Sequence, residues 1–159
     1  DESAYTASDK VDLYQVTENV VDSLSFKADQ QQIELILTGS SASLYGDASL
    51  LHSLVYNLCD NAIKYNQAGG QVFVEVMPDS DKVILQVRDT GIGISKENQE
   101  RIFERFYRVD KSRPKQVGGT GLGLSIVKHI AKLHHASIFI DSQEGQGTSI
   151  TLYFPLDKE

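Results

Sequence analysis

At 159 residues, 40% hydrophobic and 23% charged, the chain is long enough for one domain with a real core and too ordinary in composition to be fibrous or disordered. A formal net charge of −7 sets it against nonspecific association with nucleic acid or anionic membrane, both of which repel an acidic surface. The single cysteine, Cys59, cannot close an internal disulfide and suits a reducing compartment, and no apolar run of about 18 residues is present to span a membrane.

The chain shows no signal peptide and starts at Asp1 rather than methionine, which is expected of a piece of a longer protein. Residues 1–10 are polar and read as an extension to a domain covering 11–159. From Val11 to about Ala28, Leu13, Val16, Val20, Val21 and Leu24 recur at helical spacing. Ile33–Leu37 is a short strand candidate, and Thr38–Gly46 reads as a loop of small polar residues. Asp47 is placed to cap a second helix running to about Tyr65, with Leu51, Leu54, Val55, Leu58 and Ala62 as its apolar face. Gln71–Met77 and Lys82–Asp89 alternate as strands and form a hairpin. Ser95 heads a short helix expected to carry Ile102 and Phe103. The charged, glycine-edged stretch 104–118 is long for a plain connection. A third long helix runs from about Leu122 to His134, where His134 and His135 would place cationic character at the helix end. Ser137–Ser142 and Thr148–Phe154 close the chain as strands. The expected class is α+β, a two-layer sandwich whose mixed sheet of about five strands is covered on one face by three helices.

Four segments carry chemistry. Asn57, Asn61 and Lys64 fall at i, i+4 and i+7 on one helix face; amide oxygens suit Mg²⁺ and a lysine suits phosphate, although a solvated polar face has the same pattern. The turn DTGIGI begins with Asp89 at a strand end, where a carboxylate can accept from an exocyclic amine and so choose adenine over guanine. Alone it is also an ordinary Asp-Gly turn. Gly118–Gly123 opens a helix whose free N–H groups make an anion site. Its GxGxG spacing is neither a Walker loop nor the dinucleotide fingerprint. Glu144-Gly145-Gln146-Gly147-Thr148 by itself is a hairpin turn.

Taken in order, NxxxNAxKY, DxGxG, IFERFYR, GTGLGL and GxGT resemble the catalytic ATP-binding domain of bacterial sensor histidine kinases, from the superfamily shared with DNA gyrase, MutL and Hsp-type chaperone ATPases. The likeness runs from about Val11 to Leu156, and IFERFYRVDKSR with GGTGLGLSIVKH is most similar to the phosphate-sensing and cell-wall-sensing branch. That resemblance implies the two-layer Bergerat-type fold, ATP and Mg²⁺ as ligands, and a role for each matching residue. Asn61 would hold Mg²⁺, with Asn57 near the metal and phosphates and Lys64 on phosphate. Tyr65 would pack on adenine or ribose. Asp89 would take the adenine amine, with Gly91, Gly93 and Ile94 beside it and Thr148 supporting it through water. Gly119, Thr120, Gly121, Leu122, Gly123 and Leu124 would wrap the phosphates. Residues 104–118 would be the ATP lid, anchored by Phe103 and Phe106, with Arg108 on the γ-phosphate and Arg105, Lys111, Arg113 and Lys115 as further cations.

In the family the phosphate goes to a histidine in a separate helical hairpin, and that histidine is followed by an acid. None of His52, His129, His134 and His135 is followed by Asp or Glu, so all four read as structural. The implied partners are therefore a separate phosphoacceptor domain and a downstream response regulator, with no nucleic acid and no direct membrane contact by this domain, on the cytoplasmic side of a membrane-anchored parent. Two alternatives stand beside this one: an ATP-driven clamp of the gyrase or MutL type, and a nucleotide-binding module without catalysis. The hydrolysing relatives have a glutamate base where Asn57 stands.

Overall fold

The computed structural model describes residues 9–104 and 123–156. Its elements are β1 (Asp9–Asp12), α1 (Leu13–Gln30), β2 (Glu34–Gly39), β3 (Ser43–Gly46), α2 (Ala48–Lys64), β4 (Gln71–Asp79), β5 (Lys82–Asp89), α3 (Lys96–Gln99), α4 (Gly123–Leu133), β6 (Ser137–Ser142) and β7 (Thr148–Pro155). Five strands form one mixed sheet in the order β2-β4-β5-β7-β6. Only the β2–β4 pair is parallel, because α2 carries the chain back between them; the other neighbours are antiparallel.

Period-two alternation decides which face of the sheet is core. Val72, Val74 and Val76 on β4, Val83, Leu85 and Val87 on β5, and Ile150, Leu152 and Phe154 on β7 are buried in one cluster with α1, α2 and α4. The intervening residues stay wet or pair across strands. The Arg88 guanidinium lies 4.3 Å from the Phe73 ring centre, and Gln86 donates to Thr151 at 3.1 Å. The layers and the sheet are as the alternation and helical spacing lead one to expect. The second helix is capped as read, with the Asp47 carboxylate accepting from the Leu50 N–H at 3.0 Å.

Three expectations need correction. Asp9 and Lys10, assigned to the polar extension, pair with Gly46 and Tyr45, so the supposed loop 38–46 contains a strand and β1–β3 form a separate two-stranded ribbon. Asp12 locks this ribbon to α1: its carboxylate accepts from the Tyr14 N–H (3.1 Å), the Ala42 N–H (3.1 Å) and the Ser41 hydroxyl (2.8 Å). The helix accordingly starts at Leu13, not Val11. Next, α3 is a single turn that ends at Gln99, before Ile102 and Phe103. The chain continues in i to i−3 turns, Arg101 to Asn98 and Glu104 to Arg101, which still bring Ile102 into the interior.

The third correction concerns His134, which is buried and neutral rather than cationic. Its Nδ1 faces the Ile130 carbonyl at 2.9 Å and its Nε2 accepts from the Asp47 N–H at 3.1 Å, a pattern only the Nδ1–H tautomer satisfies. Burial lowers its pKa below the ordinary 6.5, against the Ile130 carbonyl and the Asp47 charge, which raise it. A depressed histidine pKa means that the ring's contribution is whole above about 6.5 and is lost as pH falls below it. His134→Gln keeps a donor and an acceptor but does not titrate. Between about pH 5 and 7, urea melts are therefore expected to show wild type losing stability relative to the variant as pH falls. A constant difference between the two would refute the neutral-ring assignment.

Candidate functional site

The site lies where the end of β5, the face of α2 and the β6–β7 turn converge. Its floor is Val87 and Ile150, from adjacent strands of the sheet. One wall is the α2 face Leu58, Asn61, Ala62 and Tyr65, spaced i, i+3, i+4 and i+7. The other walls are Asp89, Ile92, Gly93 and Ile94 of the DTGIGI turn, with Ile102, Leu124 and Thr148. The recess is largely apolar with a few convergent polar groups, the usual make-up of a small-molecule site.

Asp89 is the charged group in this lining. Burial pushes its pKa up to about 6, even though the backbone N–H groups of Gly91 and Thr148 hold the carboxylate and pull the other way. The Gly91 bond is 2.8 Å, and Asp89 and Thr148 are directly opposed in the β5–β7 ladder. Desolvation wins because the strand delivers the carboxyl into apolar surroundings.

The turn after Asp89 has little freedom. Ile92 N–H donates to the Tyr65 carbonyl at 3.2 Å, tying the turn to the end of α2. Ile92 carbonyl accepts from the Gly145 N–H at 2.6 Å, tying it to the β6–β7 turn. Between them Gly93 has φ +72°, and a Cβ there would fall on the Gln143 carbonyl. The Ile94 N–H donates to the Ser142 hydroxyl at 2.8 Å. Gln99 of α3 donates to both the Ile94 carbonyl (2.9 Å) and the Ser142 carbonyl (3.0 Å).

Of the residues singled out from sequence, Asn61, Tyr65, Asp89, Gly93, Ile94, Leu124 and Thr148 line one recess. Gly91 serves it through its N–H. The polar line Asn57–Asn61–Lys64 meets the recess only at Asn61. Asn57 sits beside it: its Nδ2 is held by the Ser53 carbonyl at 2.7 Å, which turns its Oδ1 towards Gly123 at the start of α4. Lys64 is drawn elsewhere, to Asp60 at 3.0 Å, and Asp60 also binds Lys27 of α1 at 2.9 Å. Arg105, Phe106, Arg108, Lys111, Arg113, Lys115 and Gly118–Leu122 (Gly119, Thr120 and Gly121 among them) lie outside the described residues. Cys59 is fully buried, with burial pushing its thiol up to about 12, and is a packing residue. Ser142 and Gln99 were not singled out from sequence. A serine closing one strand and a glutamine ending one helical turn give no signal until the fold brings them to the same turn.

The family model described as "Histidine kinase-, DNA gyrase B-, and HSP90-like ATPase" matches residues 46–158. Among proteins similar to this chain, the sensor-like histidine kinase SenX3 of Mycolicibacterium smegmatis is 41% identical over 148 residues, which are 92% of this chain and 38% of that protein. The sensor histidine kinase WalK of Bacillus subtilis is 40% identical over 134 residues, 82% of this chain and 22% of that protein. The chain thus spans well under half the length of these relatives. Among solved structures, the mycobacterial sensor histidine kinase MprB superposes with a TM-score of 0.80 at 31% identity, over 92% of this chain and 96% of that one.

The geometry of the turn sets up a comparison of two glycines. Gly93→Ala meets both a positive φ and the Gln143 carbonyl, whereas Gly145→Ala at φ +81° meets only the strained backbone, with nothing near its added carbon. Gly145→Ala is expected to cost about 1 kcal/mol and Gly93→Ala about 2–3 kcal/mol more, measured by chemical denaturation. Equal losses would show that the Gly93–Gln143 approach is not a constraint.

Proposed function

The chain belongs to the histidine kinase-, DNA gyrase B- and HSP90-like ATPase family, as the catalytic ATP-binding domain of a two-component sensor histidine kinase, and on that premise we propose that it binds Mg-ATP in the Asp89 recess and presents the γ-phosphate to a histidine on a separate phosphoacceptor domain. The observation that carries the ligand assignment is a buried carboxylate at the end of an apolar slot. Ionised Asp89 can only accept hydrogen bonds, so it complements the exocyclic amine of adenine and opposes the carbonyl of guanine. Val87, Ile150 and Leu124 give a planar base apolar surface, and Tyr65 stands at the edge nearest the helix end.

The donor set suits magnesium. Among the described residues no cluster of three acidic, histidine or cysteine side chains is present to cage a metal. The site instead has the amide oxygens of Asn61, at the recess, and of Asn57, whose nitrogen is already committed to Ser53. Mg²⁺ commonly takes one or two protein oxygens and completes its shell with phosphate and water. When bound it would supply charge neutralisation at the phosphates. The protein's share is to fix the base at Asp89 and Thr148, to align the amides on the phosphate side, and to hold the γ-phosphate for in-line attack, the positioning on which phosphoryl transfer mainly depends. Asn57 cannot serve as a base for water, which favours transfer over hydrolysis.

The surroundings of His134 and His52 support an acceptor on a separate domain. Both ring nitrogens of His134 are engaged by backbone groups. His52 stacks on Tyr56 within α2, with ring centres 6.4 Å apart. Among the described residues no helix is long and apolar enough to cross a membrane. We assign the domain to the cytoplasmic side of a membrane-anchored sensor that serves a response regulator. The whole reading is tested by supplying γ-labelled ATP to the parent protein: acid-labile, alkali-stable label on a histidine supports it, and label confined to released phosphate overturns it.

Two expectations follow for the site. Asp89 must be ionised to accept the amine, so ATP affinity should be full above about pH 6 and fall as pH drops through that value. Asp89→Asn should weaken ATP by roughly 10- to 100-fold and abolish the pH dependence in calorimetry, the loss of one charged hydrogen bond. Unchanged affinity would remove Asp89 from the adenine site. Asn61→Ala should bring the affinity measured with Mg²⁺ close to that measured with EDTA, and a Mg²⁺ effect of wild-type size would exclude Asn61 as a ligand.

A further inference from the structure

Three oxygens and one N–H meet where the end of β6 approaches the DTGIGI turn and the start of β7, and their spacing decides which way a hydroxyl points. Ser142 Oγ, at the end of β6, lies 2.8 Å from the Ile94 nitrogen, 3.0 Å from the Gly147 carbonyl and 2.7 Å from Thr148 Oγ1. The Ile94 N–H can only donate, so it occupies one Ser142 lone pair. The Gly147 carbonyl can only accept, so the single Ser142 proton goes to it. Thr148 must then donate its own proton to the remaining Ser142 lone pair. The reverse order, Ser142 donating to Thr148, would leave the Ser142 and Gly147 oxygens 3.0 Å apart with no proton between them. Thr148 to Ser142 to Gly147 is the one arrangement in which all three contacts are hydrogen bonds.

The consequence reaches the ligand side. Thr148 lines the recess with Asp89 and is itself buried. With its proton directed inward, its hydroxyl offers only lone pairs to the recess, and ionised Asp89 likewise only accepts. We propose that Ser142 is a positioning residue for base selectivity: by holding the Thr148 hydroxyl as an acceptor, it completes with Asp89 an acceptor-only edge that takes a 6-amino purine and rejects a 6-oxo purine. This rests on the nucleotide reading of the same recess. A 6-amino group brings two N–H donors, one for Asp89 and one for Thr148 directly or through a water. A 6-oxo group brings an acceptor to an edge without a donor, and a buried polar group left unpaired is what generates strong discrimination. Gln99, bonded to the carbonyls of both Ile94 and Ser142, holds the two sides of the relay at fixed spacing.

Calorimetry with ATP and with inosine triphosphate, whose base differs from adenine in its 6-oxo group and N1 proton, reads the effect as a ratio of affinities. Wild type is expected to favour ATP. Ser142→Ala frees the Thr148 proton to turn towards the base, so the ATP-to-ITP ratio should fall by about tenfold, the worth of one hydrogen bond. Ser142→Cys fills the same space with a weak donor and should also lower the ratio, whereas Ser142→Thr, which restores the hydroxyl, should keep it. In a Thr148→Val background, Ser142→Ala should leave the ratio where Thr148→Val alone puts it. Wild-type ratios in both Ser142→Ala and Ser142→Cys, or an undiminished effect of Ser142→Ala in the Thr148→Val background, would overturn the Ser142 role alone. A wild-type protein that binds ATP and ITP equally would overturn the adenine reading on which it rests.

Discussion

A carboxylate held in an apolar slot is the constraint around which this domain is built. Asp89 ends a central strand, so the sheet, not a loop, sets its position, and neighbouring strands bring Val87 and Ile150 beside it. Its folded pKa is raised to about 6 from 3.8. The sign follows directly: the free protein is most stable with this group protonated, and the contribution is lost as pH rises from about 4 through 6. At neutral pH the fold therefore carries a desolvated charge at Asp89, held by the backbone N–H groups of Gly91 and Thr148. On the proposed reading, a ligand that brings an amine would give this carboxylate a further donor.

Keeping that charge aimed requires stiff surroundings, and the connections of the DTGIGI turn supply them. The turn is fastened to α2 through Tyr65, to the β6–β7 turn through Gly145 and Ser142, and to α3 through Gln99. The Tyr65, Gly145 and Ser142 fastenings use backbone groups or a short hydroxyl, which lose little side-chain entropy on ordering, whereas Gln99 gives up more rotamer freedom for its two bonds. His134 does comparable work at the opposite end of α4, joining it to the N–H of the α2 cap residue. The helix that begins beside Asn57 is thus fixed at its far end to the helix that carries Asn57.

How much of this could be read from the chain depended on the range of the interaction. Local signals were reliable: the Lys82–Asp89 alternation, the Asp47 cap and the apolar stripe of α2 each depend on neighbours a few residues away. Asp89, Asn61 and Thr148 stood out in the sequence because each sits in a short motif, and the fold brings them to one recess. Long-range partners were not legible. The β1–β3 ribbon is short and polar and is held by Asp12, whose bonds to Ser41 and Ala42 cross about thirty residues. His134 looked like a helix-end cation because its partner, Asp47, is 87 residues away. Lys64 was correctly placed on the helix face with Asn57, but spacing along one helix could not show that Asp60 and Lys27 would claim its charge.

That last point bears on how an acidic chain accommodates a polyanion. Net charge −7 repels triphosphate at long range, so any binding must rest on local cations and metal. The lysine on the α2 polar face is shared with a buried aspartate, and Asn57 and Asn61 are neutral. On the proposed reading, the described residues of the recess would meet the base rather than the phosphates. The five cations Arg105, Arg108, Lys111, Arg113 and Lys115 all fall in one stretch between the Ile102 turn and the glycine loop. On the proposed reading, phosphate charge is met by Mg²⁺ and by this stretch, while the sheet and α2 read the base. On that reading, separating the two tasks leaves the Asp89–Thr148 edge buried and acceptor-only. A cation close to Asp89 would hold its carboxylate ionised and satisfied, and would remove the unmet acceptor that an adenine amine fills.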